Sequence, residues 1–282
     1  MHTFSATDET VLACHVSGDG RPLVALPGGP MRASAYFGDL GGLGAPAAGL
    51  RLVRLDLRGT GGSEAPADPD SYRCDRLVDD VEALRRHLGL EQLALLGHSA
   101  GASLALCYTA RYPDRVSRLV LVTPGTEAVG LPVAPEDRLA TARLRHEEDW
   151  FPEAYAALEV ITQGKATDSH WEAAAPFAHG RWDTAARAHR AEGAQQRNPA
   201  AAAVYGSEGA FDPAATRAAL AAYGGRVLLI AGAFDVAAPP PAVAALAEVF
   251  PHVETVVLPG AGHFPWHDEP EAFADAVTGF LN

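Results

Sequence analysis

The stretch Leu93-Ala94-Leu95-Leu96-Gly97-His98-Ser99-Ala100-Gly101 constrains the fold of this chain more than any other. An apolar run of strand length ends at Gly97, and a helix-compatible segment from Ala102 to Arg111 opens directly after Gly101, so Ser99 falls on a sharp strand-to-helix turn. The flanking glycines have a mechanical reason: strand and helix must pass closely there, and side chains would hold them apart. A serine so placed is strained, with its hydroxyl exposed above a sheet, which is where a nucleophile belongs. The competing reading is an ordinary glycine turn with a solvated serine, and the rest of the chain decides between them.

The surrounding sequence alternates in a regular way. Residues 2–26 read as short strands, with Thr10 to Val16 and Pro22 to Leu26 separated by the turn Gly18-Asp19-Gly20. Leu50 to Leu57 is a further strand, and Cys74 to Leu88 places Leu77, Val78, Val81, Leu84 and Leu88 at helical spacing before Gly89. Strand 92–96, helix 100–111 and strand Val116 to Thr123 follow; helix 213–222, strand Arg226 to Gly232, helix 240–249, strand Val253 to Leu258 and a closing helix from Pro270 to Leu281 complete the series. Strand-helix-strand order implies parallel neighbours joined by right-handed crossovers, hence an α/β fold with a mostly parallel, doubly wound sheet.

Between Thr123 and Ser207 the strand pattern stops, and Ala-, Glu- and Arg-rich helical segments are punctuated by Pro132, Pro135, Pro152, Pro176 and Pro199. The expected organisation is a core of residues 1–124 and 208–282 with a helical cap, 125–207, inserted after a core strand. A chain of 282 residues is long enough for such a core. Its net charge of -13 and lack of any long basic run argue against nucleic acid or an anionic membrane surface as partner. Cys14, Cys74 and Cys107 are odd in number and far apart, as expected of free thiols in a reducing compartment. Met1 to Cys14 has no basic segment followed by an apolar run, and no stretch approaches membrane-spanning length, so the expected location is the cytoplasm.

A serine hydroxyl attacks carbon well only when an imidazole removes its proton, and that imidazole needs a carboxylate to fix its tautomer. Asp235 follows the strand ending at Gly232, and His263 follows the strand ending at Leu258, within Pro259-Gly260-Ala261-Gly262-His263. The expected catalytic set is therefore Ser99, Asp235 and His263, with Glu127 and Asp56 as alternative acids and His267 as the alternative histidine. His263 and His267 are four apart, but Pro265 between them speaks against a two-histidine metal site on one helix, and neither metal nor cofactor is expected. The oxyanion of an acyl intermediate needs backbone donors. Ala100, which follows the serine, is one; Gly29 in Pro27-Gly28-Gly29-Pro30 is the other, with Gly28 second.

These features together resemble the α/β-hydrolase superfamily over nearly the whole chain. Within it, Gly28-Gly29-Pro30 is similar to the H-G-G-P-G loop of the proline iminopeptidase-like branch, and Asp56-Leu57-Arg58-Gly59-Thr60-Gly61-Gly62-Ser63 to its D-x-R-G-x-G-x-S segment. Pro27, Met31 and Ala100 depart from that branch, which typically carries histidine, glycine and tryptophan there, and the second segment, also widespread in esterases and lactonases, fits a structural turn. The resemblance implies an α/β-hydrolase fold with a cap and a cofactor-independent serine hydrolase acting on a small ester, thioester, lactone or N-terminal amide. Epoxide and haloalkane hydrolysis are disfavoured, because those relatives use aspartate where this chain has Ser99.

The branch also implies cap carboxylates that hold a substrate amine. Glu136, Glu147, Glu148, Asp149, Glu153, Glu159 and Glu172 are available, although acidic residues on such helices are commonly solvated. Trp150, Phe151, Trp171, Phe177 and Trp182 either line a pocket or pack cap against core. Acyl transfer or cyclisation, and a non-catalytic ligand receptor on the same fold, remain open alternatives at this level.

Overall fold

Eight strands make one sheet in the order β1-β2-β4-β3-β5-β6-β7-β8 in a computed structural model that describes residues 1–282. The strands are His2–Ser5 (β1), Val11–Ser17 (β2), Arg21–Leu26 (β3), Leu50–Asp56 (β4), Leu93–His98 (β5), Val116–Val122 (β6), Arg226–Gly232 (β7) and Val253–Leu258 (β8). β1 and β4 each pair antiparallel with β2, and every other pairing is parallel. β5 runs to His98, two residues past the expected strand 92–96, because Gly97 and His98 still pair with Leu121 and Val122. Register, rather than hydrophobicity, carries that strand to the turn.

The central strands are apolar on both faces, and their residues divide by parity. Val24, Val53, Leu95, Leu119, Leu121, Leu229 and Ala231 enter one core cluster; Leu23, Ala25, Leu52, Leu96, Val120, Leu228 and Ile230 enter another. That is the period-two signature of a sheet covered on both sides. Helices Cys74–His87 (α1) and Ala100–Arg111 (α2) contribute Leu77, Val81, Leu104 and Tyr108 to the first cluster. Each large side chain so buried contributes about 1.5–3 kcal/mol relative to leaving it in water.

Between β6 and β7 lie Pro135–Arg143 (α3), Phe151–Thr162 (α4), Asp168–Ala173 (α5), Thr184–Gln195 (α6), Pro199–Tyr205 (α7) and Pro213–Ala221 (α8). Ala154, Leu158 and Phe177 form the centre of a small separate cluster there. Proline at or next to the first position starts α3, α4, α7 and α8, since the missing N–H is one the helix would leave unpaired anyway. The chain finishes with Pro240–Ala247 (α9), Pro265–Asp268 (α10) and Pro270–Leu281 (α11), and Phe273, Val277 and Phe280 of α11 close the second cluster. Pro265 opens the single turn α10, so His267 is helical while His263 precedes the helix, and no helix carries both histidines, as the proline between them leads one to expect. No helix is long and apolar enough to cross a membrane.

The segment Asp56 to Ser63 works as a brace. Asp56 Oδ1 accepts from the Ser34 N–H at 2.8 Å and its hydroxyl at 2.7 Å, while Oδ2 accepts from Gly62 N–H at 2.9 Å and lies 2.9 Å from His15 Nε2. Burial opposes the charge, but these donors outweigh it and hold the carboxyl below its ordinary pKa. Arg58 forks onto Asp80 of α1 at 2.8 and 2.5 Å and reaches Asp8 at 2.7 Å. All of this chemistry serves the fold.

Candidate functional site

Ser99 occupies φ 52°, ψ −121°, a left-handed conformation that a serine adopts only when its surroundings impose it. The imposition comes from both flanks. A Cβ on Gly101 would overlap the Leu26 carbonyl oxygen of β3, and one on Gly97 would meet Gly101 O at 2.5 Å, so only glycine lets α2 leave the sheet this steeply. The Ser99 carbonyl accepts from Ala102 and Gly125 N–H groups at 2.9 and 3.0 Å, which fixes the turn.

The neighbouring strand ends supply the other groups. After β7, Asp235 is fully buried, with Oδ1 accepting from Ala237 N–H at 2.8 Å and Oδ2 lying 2.8 Å from His263 Nδ1. An ionised carboxylate only accepts, so Nδ1 carries the proton and the Nε2 lone pair is left for chemistry. The His263 N–H donates to Ala178 O at 2.9 Å, and its carbonyl accepts from Thr123 Oγ1 at 3.0 Å. The two loops interlock through Phe234 N–H to Ala261 O at 2.9 Å. Ser99 and His263 face one cavity of about 850 Å³, without a hydrogen bond between their side chains.

The loop after β3 closes the arrangement. Gly28 passes so near the turn that a Cβ there would sit 2.9 Å from Ser99 Cβ, and Gly29 lines the same cavity. The Gly28 N–H donates to Tyr36 Oη at 2.8 Å and is thereby occupied. The N–H groups of Gly29 and Ala100 are bound by no acceptor of the protein. Tyr36 Oη lies 2.7 Å from His98 Nδ1, and His98 Nε2 lies 2.9 Å from the His263 carbonyl oxygen. Burial, reinforced by the neighbouring His263, holds the His98 pKa well below the ordinary histidine value.

The alternative residues lie elsewhere. Glu127 Oε2 accepts from Ser103 Oγ at 3.1 Å, Asp56 belongs to the brace, and the His267 ring lies tilted against that of His189, centres 4.4 Å apart, and lines a second cavity of about 410 Å³. Among the acids of residues 125–207, Glu172 alone lines the Ser99 cavity, and it pairs with Arg190 at 3.1 Å. Among the aromatics of the same segment Trp171 lines it, while Trp150, Phe151 and Phe177 pack on one another. Sequence reasoning missed Arg32, Tyr36, His189 and Phe264, all lining residues. No local periodicity marks them, since they converge from distant segments.

A family model described as alpha/beta hydrolase fold matches residues 21–270. Over 108 residues the chain is 35% identical to a proline iminopeptidase of Heyndrickxia coagulans, a match spanning 38% of this chain and 36% of that protein. The matched portion is thus well under half of the relative's length. Among solved structures, an esterase of Exiguobacterium antarcticum superposes with a TM-score of 0.75 at 20% identity, covering 99% of this chain and 98% of that one. A proline iminopeptidase of Mycobacterium smegmatis gives 0.75 at 24% identity, covering 99% and 97%. Both structural likenesses speak for the fold.

Proposed function

The chain belongs to the alpha/beta hydrolase fold family, in motifs its proline iminopeptidase-like branch, and from that premise we propose a cofactor-independent serine hydrolase that cleaves a small ester or lactone through an acyl-enzyme. The observation that carries this reading is the 2.8 Å bond between His263 Nδ1 and the wholly buried Asp235, at the edge of the cavity that the strained Ser99 also faces. In the proposed cycle His263 Nε2 takes the Ser99 proton as Oγ attacks the acyl carbon. The N–H groups of Gly29 and Ala100 then hold the oxyanion, each worth about 10²–10³ in rate. His263 returns the proton to the leaving oxygen, and water repeats the sequence to release the acid.

Substrate class is read from the cavity walls. A substrate with a free amino terminus needs an unpaired carboxylate, and the one lining glutamate, Glu172, is matched by Arg190. That favours an ester or lactone over the N-terminal amide that the name of the Heyndrickxia relative suggests.

The test is a fluorophosphonate label and a paired assay on short-chain p-nitrophenyl esters and proline p-nitroanilide, with wild type and Ser99→Ala. Labelling and ester cleavage that both vanish in Ser99→Ala are expected. Anilide cleavage that requires the free proline amine would overturn the substrate class, and an unlabelled wild type would point to a receptor.

A further inference from the structure

The Ser99 cavity carries a charge that ester hydrolysis by itself does not need. Arg32, three residues past Gly29, is only 8% exposed, and its guanidinium packs against Gly193 of α6, where a Cβ would sit 3.2 Å from Cζ. Its Nε donates to Gln196 Oε1 at 3.0 Å, and one Nη lies 3.2 Å from His189 Nε2. The guanidinium carbon stands 4.2 Å from the centre of the Tyr36 ring and 5.9 Å from that of Phe264. Every one of these partners is neutral. An imidazole offers no negative charge in either protonation state, and His189 stays neutral beside Arg32, since burial and the adjacent His267 and Arg32 push its pKa down to about 3.

Buried arginines are ordinarily matched by a carboxylate, because an unmatched charge in a dry site is strongly unfavourable. No ion pair of the chain includes Arg32, and Glu192, on the same helix as Gly193, acts on it only from beyond pairing distance. Burial outweighs that attraction and lowers the Arg32 pKa to about 10, still well above neutrality, so the side chain stays charged. Its other Nη has no hydrogen-bond partner in the protein. The remaining charged walls of the cavity are Arg190, Arg197 and Glu172, and Glu172 neutralises Arg190 alone. Arg197, whose backbone bridges to Arg32, is also without an ion pair. A protein of net charge -13 therefore gathers uncompensated positive charge around its reactive serine.

We infer that the compound cleaved at Ser99 carries a carboxylate of its own, received by Arg32 with Arg197 beside it, so that the substrates are half-esters of dicarboxylic acids or lactones bearing an acid group. A planar guanidinium with free N–H groups suits a carboxylate, and the low-dielectric wall makes the attraction stronger than at an open surface. The inference rests on the reading of Ser99 as nucleophile and narrows its substrate. It also separates Arg32 from a purely structural strut, which would need the bond to Gln196 and no charge.

The experiment compares 4-nitrophenyl pentanoate with mono-4-nitrophenyl glutarate, in which a carboxylate ends the chain, for wild type, Arg32→Gln, Arg32→Lys and Ser99→Ala, alongside inhibition by free glutarate and by neutral glutaramide. A charge-assisted contact predicts a wild-type preference for the glutarate half-ester of about 10-fold or more in kcat/KM. Arg32→Gln should remove that preference, the half-ester losing far more turnover than the pentanoate; Arg32→Lys should restore part of it, and glutarate should inhibit competitively where glutaramide does not. Equal turnover of the two esters by wild type, or an equal fall for both in Arg32→Gln, overturns the inference and leaves the serine hydrolase standing. If Ser99→Ala keeps full ester turnover, the hydrolase reading fails, and glutarate binding to wild type but not to Arg32→Gln still decides the anion site. Should Arg32→Gln not fold, the exposed Arg197→Gln and glutarate inhibition of wild type decide it instead: inhibition of wild type together with a loss of preference in Arg197→Gln supports the site, and the absence of either overturns it.

Discussion

His98 Nε2 lies 2.9 Å from the carbonyl oxygen of His263, which ties the turn carrying Ser99 to the loop carrying the histidine beside it. A carbonyl only accepts, so Nε2 bears the proton and Nδ1 receives the Tyr36 hydroxyl hydrogen; the Tyr36 oxygen in turn accepts from Gly28 N–H. One directed chain thus joins the loops after β3, β5 and β8. Tyr36→Phe removes its middle member and leaves the Gly28 N–H and His98 Nδ1 unpaired in the interior. We expect a loss of about 1–3 kcal/mol for each group, read by urea unfolding. Because the loops that carry Gly29 and His263 lose their common tie, kcat should fall about 10-fold or more with KM little changed. An unaltered kcat in a destabilised protein would show that the chain supports the fold and not the geometry of reaction.

Asp235→Asn tests the orienting carboxylate with little change of shape. The carbonyl oxygen of the introduced amide can keep the bond from Ala237 N–H, which leaves the amide nitrogen facing His263 Nδ1. A donor there drives the imidazole to the other tautomer, with its proton on Nε2, where it cannot accept from Ser99. We expect a fall in kcat of about 10⁴ with a near-native melting temperature. Steady-state kinetics beside circular dichroism would check it, and a fall smaller than tenfold would take Asp235 out of the mechanism.

What the sequence disclosed and what it hid follow one physical division. Ser99, Asp235 and His263 each sit just after a short apolar strand, so local pattern locates them, and topology brings the strand ends together. The bond between Arg32 and His189 joins residues 157 apart, and no period in either segment foretells it. The carboxylates of residues 125–207 read as a group, yet only Glu172 turns to the cavity, because which face of a helix looks inward depends on packing that composition does not encode. Pro265 was legible in one respect and not in another: it keeps His263 and His267 off one helix, as a proline between them implies, but that it starts a turn of its own depends on the preceding backbone.

The close crossing of β5, α2 and β3 makes Gly101→Ala a sharp test of the turn. The new methyl would overlap the backbone oxygens of Leu26 and Pro27, atoms that cannot rotate away, so α2 or β3 must shift. Overpacking of this kind costs about 1–3 kcal/mol. The fall in stability should come with a larger loss of fluorophosphonate labelling, since the same shift moves Ser99 against Gly29. Labelling at the wild-type rate would mean that the turn tolerates the extra atom.

Acid should weaken the helix pair α1 and α2 through Glu82. Its carboxylate takes both arms of Arg85 at 2.8 Å, Arg86 Nε at 2.9 Å and the Tyr108 hydroxyl of α2 at 3.0 Å. Led by the Arg85 bonds, and against the opposing effect of burial, these donors lower its pKa from 4.5 to about 2. A folded-state pKa below the unfolded one means that the stabilisation is complete above the unfolded value and disappears as pH falls towards the folded one. Glu82→Gln should therefore be less stable than wild type by about 2 kcal/mol at pH 7, the scale of hydrogen bonds to a charged group. That gap should close progressively as pH falls from about 5 towards 2, because protonation makes the wild-type side chain resemble the amide. Urea unfolding of both proteins at pH 7 and at successive steps below pH 5 measures it. A gap that stays constant across the series would show that shape and not charge joins the two helices.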